Sequence, residues 1–168
     1  RRFSSTTSKE VSDALNRLRV EGMTQLIFDL RTNSGGYLEQ AVDVADNFFV
    51  TKDTIVYTEG RRPRSRKVYK ASPRKGSDDY ALVVLIDRWS ASASEIVAGA
   101  IQDLDRGLIV GETSFGKGLV QQQWILNDGS ALRVTIGRYY TPSGRLIQRP
   151  YGDGTHEYYR ELADEHRE

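Results

Sequence analysis

Two spacings of apolar residues alternate along this chain, one helical and one extended. Thr7-Ser-Lys-Glu10 has the form of a capping box, with Thr7 as N-cap and Glu10 reaching back. Val11, Leu15 and Leu18 then fall on one helical face until Gly22 offers a stop. Gln25 to Leu30 is a short apolar run that predicts a strand, closed by the polar loop Arg31-Thr-Asn-Ser-Gly-Gly36. A second amphipathic helix is predicted from about Leu38 to Phe49, with Ala41, Val42, Val44, Ala45 and Phe48 as its apolar face. Thr54 to Tyr57 reads as another strand. Ala81 to Ile86 is apolar without a break, as a strand covered on both faces would be.

The serine run Ser90-Ala-Ser-Ala-Ser-Glu95 follows, and the spacing predicts a helix continuing to about Asp103. Leu108 to Val110 is a further strand, leading into Ser114-Phe-Gly-Lys-Gly118. Val120 to Leu126 and Ala131 to Ile136 flank Asn127-Asp-Gly-Ser130, a hairpin signal, and Thr141-Pro-Ser-Gly144 is another turn. From His156 the chain is charged and lacks an apolar stripe, so residues 1–155 read as a core and 156–168 as a charged tail, a surface helix or a frayed end. Strands alternating with helices, and mostly apolar strands, predict an α/β layered fold with a β-hairpin appended.

Composition narrows the chemistry. The 168 residues, 38% hydrophobic and 28% charged, suit one domain of ordinary size. A net charge of +1 gives no global field pointing to nucleic acid or an acidic partner. Residues 61–75 hold eight of the 24 basic residues, but only Tyr69 is interleaved among them, and a solvated hairpin or loop is the reading taken over a nucleic-acid patch. No cysteine is present, which removes thiolate catalysis, disulfides and thiolate metal sites. No apolar run is long enough to span a membrane, and the opening residues lack the apolar stretch of a signal peptide, so the chain reads as the core of a longer protein.

Serine needs a proton acceptor to become a nucleophile. The only histidines, His156 and His166, lie in the polar tail, which disfavours a Ser-His-Asp triad and a zinc site alike. Lys117 follows Ser92 by twenty-five residues, between two glycines and beside Phe115, Leu119 and Val120, with no acidic residue from Ser114 through Ile125. Burial there would penalise the ammonium form and supply a neutral amine base. An exposed turn lysine is the plainer reading of the same residues. Ser92 likewise reads either as one of several small residues at a capped helix start or as a nucleophile beside unpaired N–H donors, notably that of Ala93. The loop Asn33-Ser-Gly-Gly36 offers a second backbone donor or is simply a strand-to-helix turn.

Taken together, Asp29-Leu-Arg-Thr-Asn-Ser-Gly-Gly36, Ser90-Ala-Ser-Ala-Ser-Glu-Ile-Val-Ala-Gly-Ala100 with its preceding apolar strand, and Gly111-Glu-Thr-Ser-Phe-Gly-Lys-Gly118 resemble the carboxyl-terminal processing (tail-specific) proteases, bacterial members above all. The resemblance runs from about residue 6 to residue 150. It implies a crotonase/Clp-protease-like ββα spiral, with Ser92 as nucleophile, Lys117 as general base, Gln121 orienting that lysine, and the backbone amides of Gly36 and Ala93 as oxyanion donors. Asp103 matches an acid implicated in some members, or serves a structural role at a helix end. On a straight strand Lys117 and Gln121 would stand about 13 Å apart, so contact needs a bend, for which Gly118 is the available hinge.

The implied activity is a serine endopeptidase without metal or cofactor, cutting proteins or peptides near apolar C-termini, from a periplasmic or otherwise exported location. A homo-oligomer is left open, and no nucleic acid or membrane span is expected. Family members usually carry a PDZ domain before this core, and none is read in this chain. Ser34 stands where proline or glycine is frequent, and Ser114 where threonine is common. Two rivals on the same fold are a catalytically inactive ligand- or peptide-binding module and an acyl-CoA enzyme, the latter lacking its usual acidic site residues here.

Overall fold

The structure, a computed structural model, describes residues 2–62, 64–73 and 80–150. The predicted tail 156–168, with both histidines, lies outside the described residues. Among the described residues three helices and seven strands follow in the order α1 (Thr7–Val20), β1 (Gln25–Asp29), α2 (Leu38–Asp46), β2 (Thr54–Glu59), β3 (Lys67–Lys70), β4 (Ala81–Ile86), α3 (Ala93–Asp103), β5 (Leu108–Gly111), β6 (Leu119–Ile125) and β7 (Ala131–Tyr140). They form an α/β arrangement with two sheets, as the alternation predicts, and the basic segment contains a hairpin strand.

The first sheet is parallel, in the order β1-β4-β5. Parallel neighbours need long crossovers, and α2 (with β2 and β3) and α3 supply them. The helices pack on one face. Val84 of β4 is buried against a core that includes Val44, Ala45, Phe48, Val97 and Ile101, each large side chain contributing about 1.5–3 kcal/mol by leaving water. The opposite face is not covered: Ile27 and Leu108 are each 68% exposed, and Val83 and Leu85 only half-buried. The unbroken apolar run of β4 therefore does not mark burial on both sides here, which corrects the expectation from its sequence. An apolar run reports what a face tolerates, while cover depends on what packs there.

The hairpin is more than an appendage. β7 extends four residues past the predicted end and pairs with β2, which makes a second, antiparallel sheet in the order β3-β2-β7-β6. Tyr57 and Tyr140 stack across the β2–β7 pair with ring centroids 5.0 Å apart, a contact set by cross-strand register. The far half of the β6–β7 ribbon projects with both faces exposed.

α1 begins one residue off the predicted cap. Thr6 is its N-cap and bonds Glu10 at 2.6 Å, while the Thr7 hydroxyl accepts from the Ser4 N–H at 2.9 Å. Two adjacent threonines compete for the same role, and the chain entering from Phe3 decides between them. Gly22 closes the helix at φ 85°, with Gly22 and Met23 N–H returning to the Arg19 and Leu18 carbonyls. Among the described residues no helix is long and apolar enough to cross a membrane.

α3 is buried along nine consecutive residues, Ala93 to Ile101. A helix enclosed all round must be slim, which is the physical use of its alanines, serine and Gly99. Asp103 ends it, its side chain only 4% exposed, accepting from the Ser143 N–H (2.9 Å), the Ser143 hydroxyl (2.6 Å) and the Arg145 guanidinium. At 1.5 Å rise per residue it stands about 16 Å from Ser92. It anchors the 141–145 turn, as a helix-end role would have it. Burial alone would raise the Asp103 carboxyl, but hydrogen bonds from Ser143, Thr141 and Arg145 outweigh it and hold the group below its ordinary 3.8. Such a depressed carboxyl stabilises the fold above that value and loses its contribution as pH falls through the lower folded one. Asp103→Asn is expected to cost about 2 kcal/mol, roughly 4–8 °C in melting temperature, at pH 7. The gap from wild type should close as melts are repeated below pH 3.8.

Candidate active site

Ser92 sits at the N-cap of α3 with φ 55° and ψ −108°. A non-glycine residue there is strained, and such strain persists only where surrounding contacts fix it. The fixing contacts come from the ends of β1 and β4. Buried Ser90 accepts from the Asp87 N–H at 3.0 Å and lies 2.9 Å from the Leu30 carbonyl. Asp87 also accepts from the N–H of Thr32, itself at φ 56°, and of Trp89, all at 3.0 Å. The Asn33 carbonyl receives the Ala91 N–H (3.1 Å) and the Ser94 hydroxyl (2.8 Å). The loop after β1 and the turn before α3 are thus stitched together on both sides of Ser92.

Glycine is required at this junction. A Cβ on Gly35 (φ +88°) would stand 2.5 Å from the Ala91 carbonyl oxygen and 2.8 Å from both the Ala93 nitrogen and the Ser92 Cβ. The Gly35 N–H is already used, donating to Asn33 Oδ1 at 3.0 Å. Gly36 pairs with Phe3, whose N–H and carbonyl engage Gly35 and Tyr37. Among the described residues neither the Gly36 nor the Ala93 N–H meets a protein acceptor. Ala93 opens the helix, where an N–H has no intrahelical partner. Two unclaimed donors therefore flank the Ser92 turn.

The Lys117 loop is held by its backbone from two directions. The first is Glu95, 6% exposed. Its Oε2 accepts from the Ser92 N–H (2.7 Å) and the Lys117 N–H (2.9 Å), and its Oε1 from the Gly116 N–H (2.6 Å) and the Ser114 hydroxyl (2.8 Å). One oxygen thus caps the separation of the Ser92 and Lys117 nitrogens at about 5.6 Å, the sum of its two distances. Burial pushes the Glu95 carboxyl up from its ordinary value, while the four donors favour its ionised form and pull the other way. The second direction is the segment 147–149 together with Tyr139 of β7. The Arg149 N–H donates to the Gly116 carbonyl at 2.9 Å, the Gly118 N–H to buried Gln148 Oε1 at 3.0 Å, and the Tyr139 N–H to the Gly118 carbonyl at 2.7 Å. A Cβ on Gly118 would lie 2.2 Å from the Gln148 nitrogen, so the approach of this segment explains a flanking glycine.

The Lys117 side chain itself is exposed, and among the described residues it has no hydrogen-bond or ion-pair partner. This overturns the expectation of a desolvated amine. The apolar neighbours Phe115, Leu119 and Val120 turn partly inward, and the backbone anchoring leaves the lysine facing outward. Gln121 is exposed on β6 and pairs with Thr135, just after a register shift at Val120/Gln121. The chain does break from a straight strand there, though at a bulge rather than at Gly118 alone. No hydrogen bond joins Gln121 to Lys117 among the described residues.

In the sequence Glu95 stands only as the end of the serine run, and nothing there singles out Gln148 or the Asn33 carbonyl. The available signal was Glu95 itself, the lone charge in a stretch of alanine, serine and aliphatic residues. Such a residue is buried only if it is paired or hydrogen-bonded.

The profile of Peptidase family S41 matches residues 1–155. A carboxyl-terminal-processing protease of Synechocystis is 43% identical over 147 residues, covering 88% of this chain and 34% of that protein. A carboxy-terminal-processing protease of Bartonella bacilliformis is 44% identical over 138 residues, covering 82% of this chain and 32% of that protein. The solved structure of a photosystem II D1 C-terminal processing protease superposes with TM-score 0.76 at 38% identity, over 87% of this chain and 37% of that one. This chain therefore spans about a third of the length of the curated relatives it matches. These likenesses bear out the resemblance read from the motifs: the chain belongs to peptidase family S41, among the carboxyl-terminal processing proteases.

Proposed function

We propose that this chain is the catalytic core of a serine endopeptidase that cuts protein substrates near apolar C-termini. In this reading Lys117 takes the Ser92 proton and the serine oxygen attacks the scissile carbonyl. The Gly36 and Ala93 amides receive the oxyanion, Lys117 protonates the departing amine, and water resolves the acyl-enzyme. Gln121 orients Lys117. The observation that supports the reading is the single Glu95 oxygen shared by the Ser92 and Lys117 amides, since it holds the main chains that carry the serine and the lysine side by side. Two unclaimed N–H groups beside the strained serine support it further.

Lys117 is exposed, so in this reading cover for it must come from the bound substrate. The same exposure is the one observation that favours the alternative, an inactive ligand- or peptide-binding module. The fold is read as the crotonase/Clp-type ββα spiral, residues 1–155 as the core and 156–168 as a tail. The location is read as periplasmic or otherwise exported, by analogy with the bacterial relatives.

The test is covalent labelling. The full-length protein is treated with a fluorophosphonate and mapped by mass spectrometry, and then incubated with an apolar-tailed protein. A single adduct on Ser92 and loss of the substrate's C-terminal segment are expected. An intact substrate with no Ser92 adduct would leave the binding module as the better reading.

A further inference from the structure

Among the described residues the Glu95 carboxylate has four donors and no cation, and all four donors come from the two loops that bear the proposed dyad. A plain helix-capping acid would engage its own helix's first turn. Only the Ser92 N–H is of that kind. The other three donors lie nineteen to twenty-two residues along the chain, across the gap between α3 and the Lys117 loop. Two of the loop's three donors are backbone amides, so what Glu95 fixes is the path of the Gly116–Lys117 main chain. From that path a flexible side chain must still reach Ser92. An acid at this place carries the cost of burying a carboxylate, which an amide or an apolar residue would avoid.

We propose that Glu95 is a positioning residue, whose buried carboxylate sets the separation of Ser92 and Lys117 by accepting both of their backbone amides on one oxygen. The role rests on the Ser92–Lys117 reading above. Glu95 touches no reacting atom and acts through the two residues it joins. A glutamine in its place has nearly the same shape but only one acceptor oxygen. In either orientation its NH2 group faces at least one backbone N–H that has lost its acceptor, so the loop must shift.

The experiment compares wild-type and Glu95→Gln full-length protein for kcat and KM on an apolar-tailed substrate, and for the rate of Ser92 labelling by a fluorophosphonate. Misplacement by about 1 Å is worth about 100-fold. The expected result is a kcat lower by about that factor, KM within about threefold, and a labelling rate that falls with kcat. A folded Glu95→Gln protein with kcat within about threefold of wild type, or with the whole change in KM, overturns the positioning role. Should that variant not fold, Ser114→Ala removes one donor to the same carboxylate at a half-buried loop site. It is expected to lower kcat about tenfold without moving KM, and an unchanged kcat there overturns the role too. A wild-type protein that neither cleaves nor labels overturns the peptidase reading and this role with it. Cleavage by wild type with an indifferent Glu95→Gln overturns the role alone.

Discussion

Ser92→Ala is expected to reduce cleavage by about 10⁴- to 10⁶-fold, the range seen when an activated nucleophile is removed from an otherwise intact serine peptidase site. The fold should survive. Alanine keeps the Cβ, so the backbone at φ 55° is no worse off, and the Glu95 contact is to the Ser92 amide rather than its hydroxyl. Loss of an N-cap hydroxyl costs about 1 kcal/mol. Lys117→Arg sharpens the same test, because a guanidinium keeps the charge and length but does not deprotonate. It should lose about 10²- to 10⁴-fold, as expected for removing a general base. With Lys117 exposed and without a side-chain partner among the described residues, its replacement should leave stability within about 0.5 kcal/mol of wild type. The double variant should be no slower than Ser92→Ala, since residues acting as a unit are not additive. Steady-state cleavage and thermal melts on the same samples decide this. Retention of more than about a hundredth of wild-type rate in Ser92→Ala would remove that serine from the mechanism.

Gly35→Ala carries the second-largest expected effect, and it acts on stability and activity together. The added methyl would meet a carbonyl oxygen at 2.5 Å and the Ser92 Cβ at 2.8 Å, and neither is the free end of a flexible side chain. The left-handed φ of +88° adds strain for any residue with a side chain. Overpacking and backbone strain together predict a loss of about 2–5 kcal/mol. What remains folded should have the Ser92 turn pushed off the 33–36 loop, with labelling of Ser92 slowed by about 100-fold. Gly22→Ala is the matched control. Its φ is also positive, at 85°, but nothing lies within 4 Å of the added methyl, so it should cost only the local strain and leave labelling unchanged. Equal labelling rates in the two variants would show that the Gly35 contact does not govern the site.

Much of the fold was legible because its signals are local. The limits of β4 and the end of α3 follow from an unbroken apolar run and a helical period, and Gly22 and Gly129 from turn chemistry that only a positive φ satisfies. The three motifs were equally legible as a set, and the family match agrees with them. The larger failures are non-local. One face of the parallel sheet is open, and β7 reaches past its hairpin to pair with β2. In each case the deciding neighbour lies on another element, where no periodicity of the segment itself can report it.

The chain's own order of residues was enough to determine which elements form, which serine and lysine deserve scrutiny, and that any catalysis by them must dispense with thiolate and, within the core, with histidine. Only the tertiary structure decided that Lys117 faces solvent while its backbone is pinned, that Asp103 braces a turn far from Ser92, and that Glu95 joins the two loops. The reason is physical. Helix and strand preferences are settled by neighbours a few residues away, whereas burial and the pairing of a carboxylate depend on segments brought together from across the chain, and those exist only once it has folded.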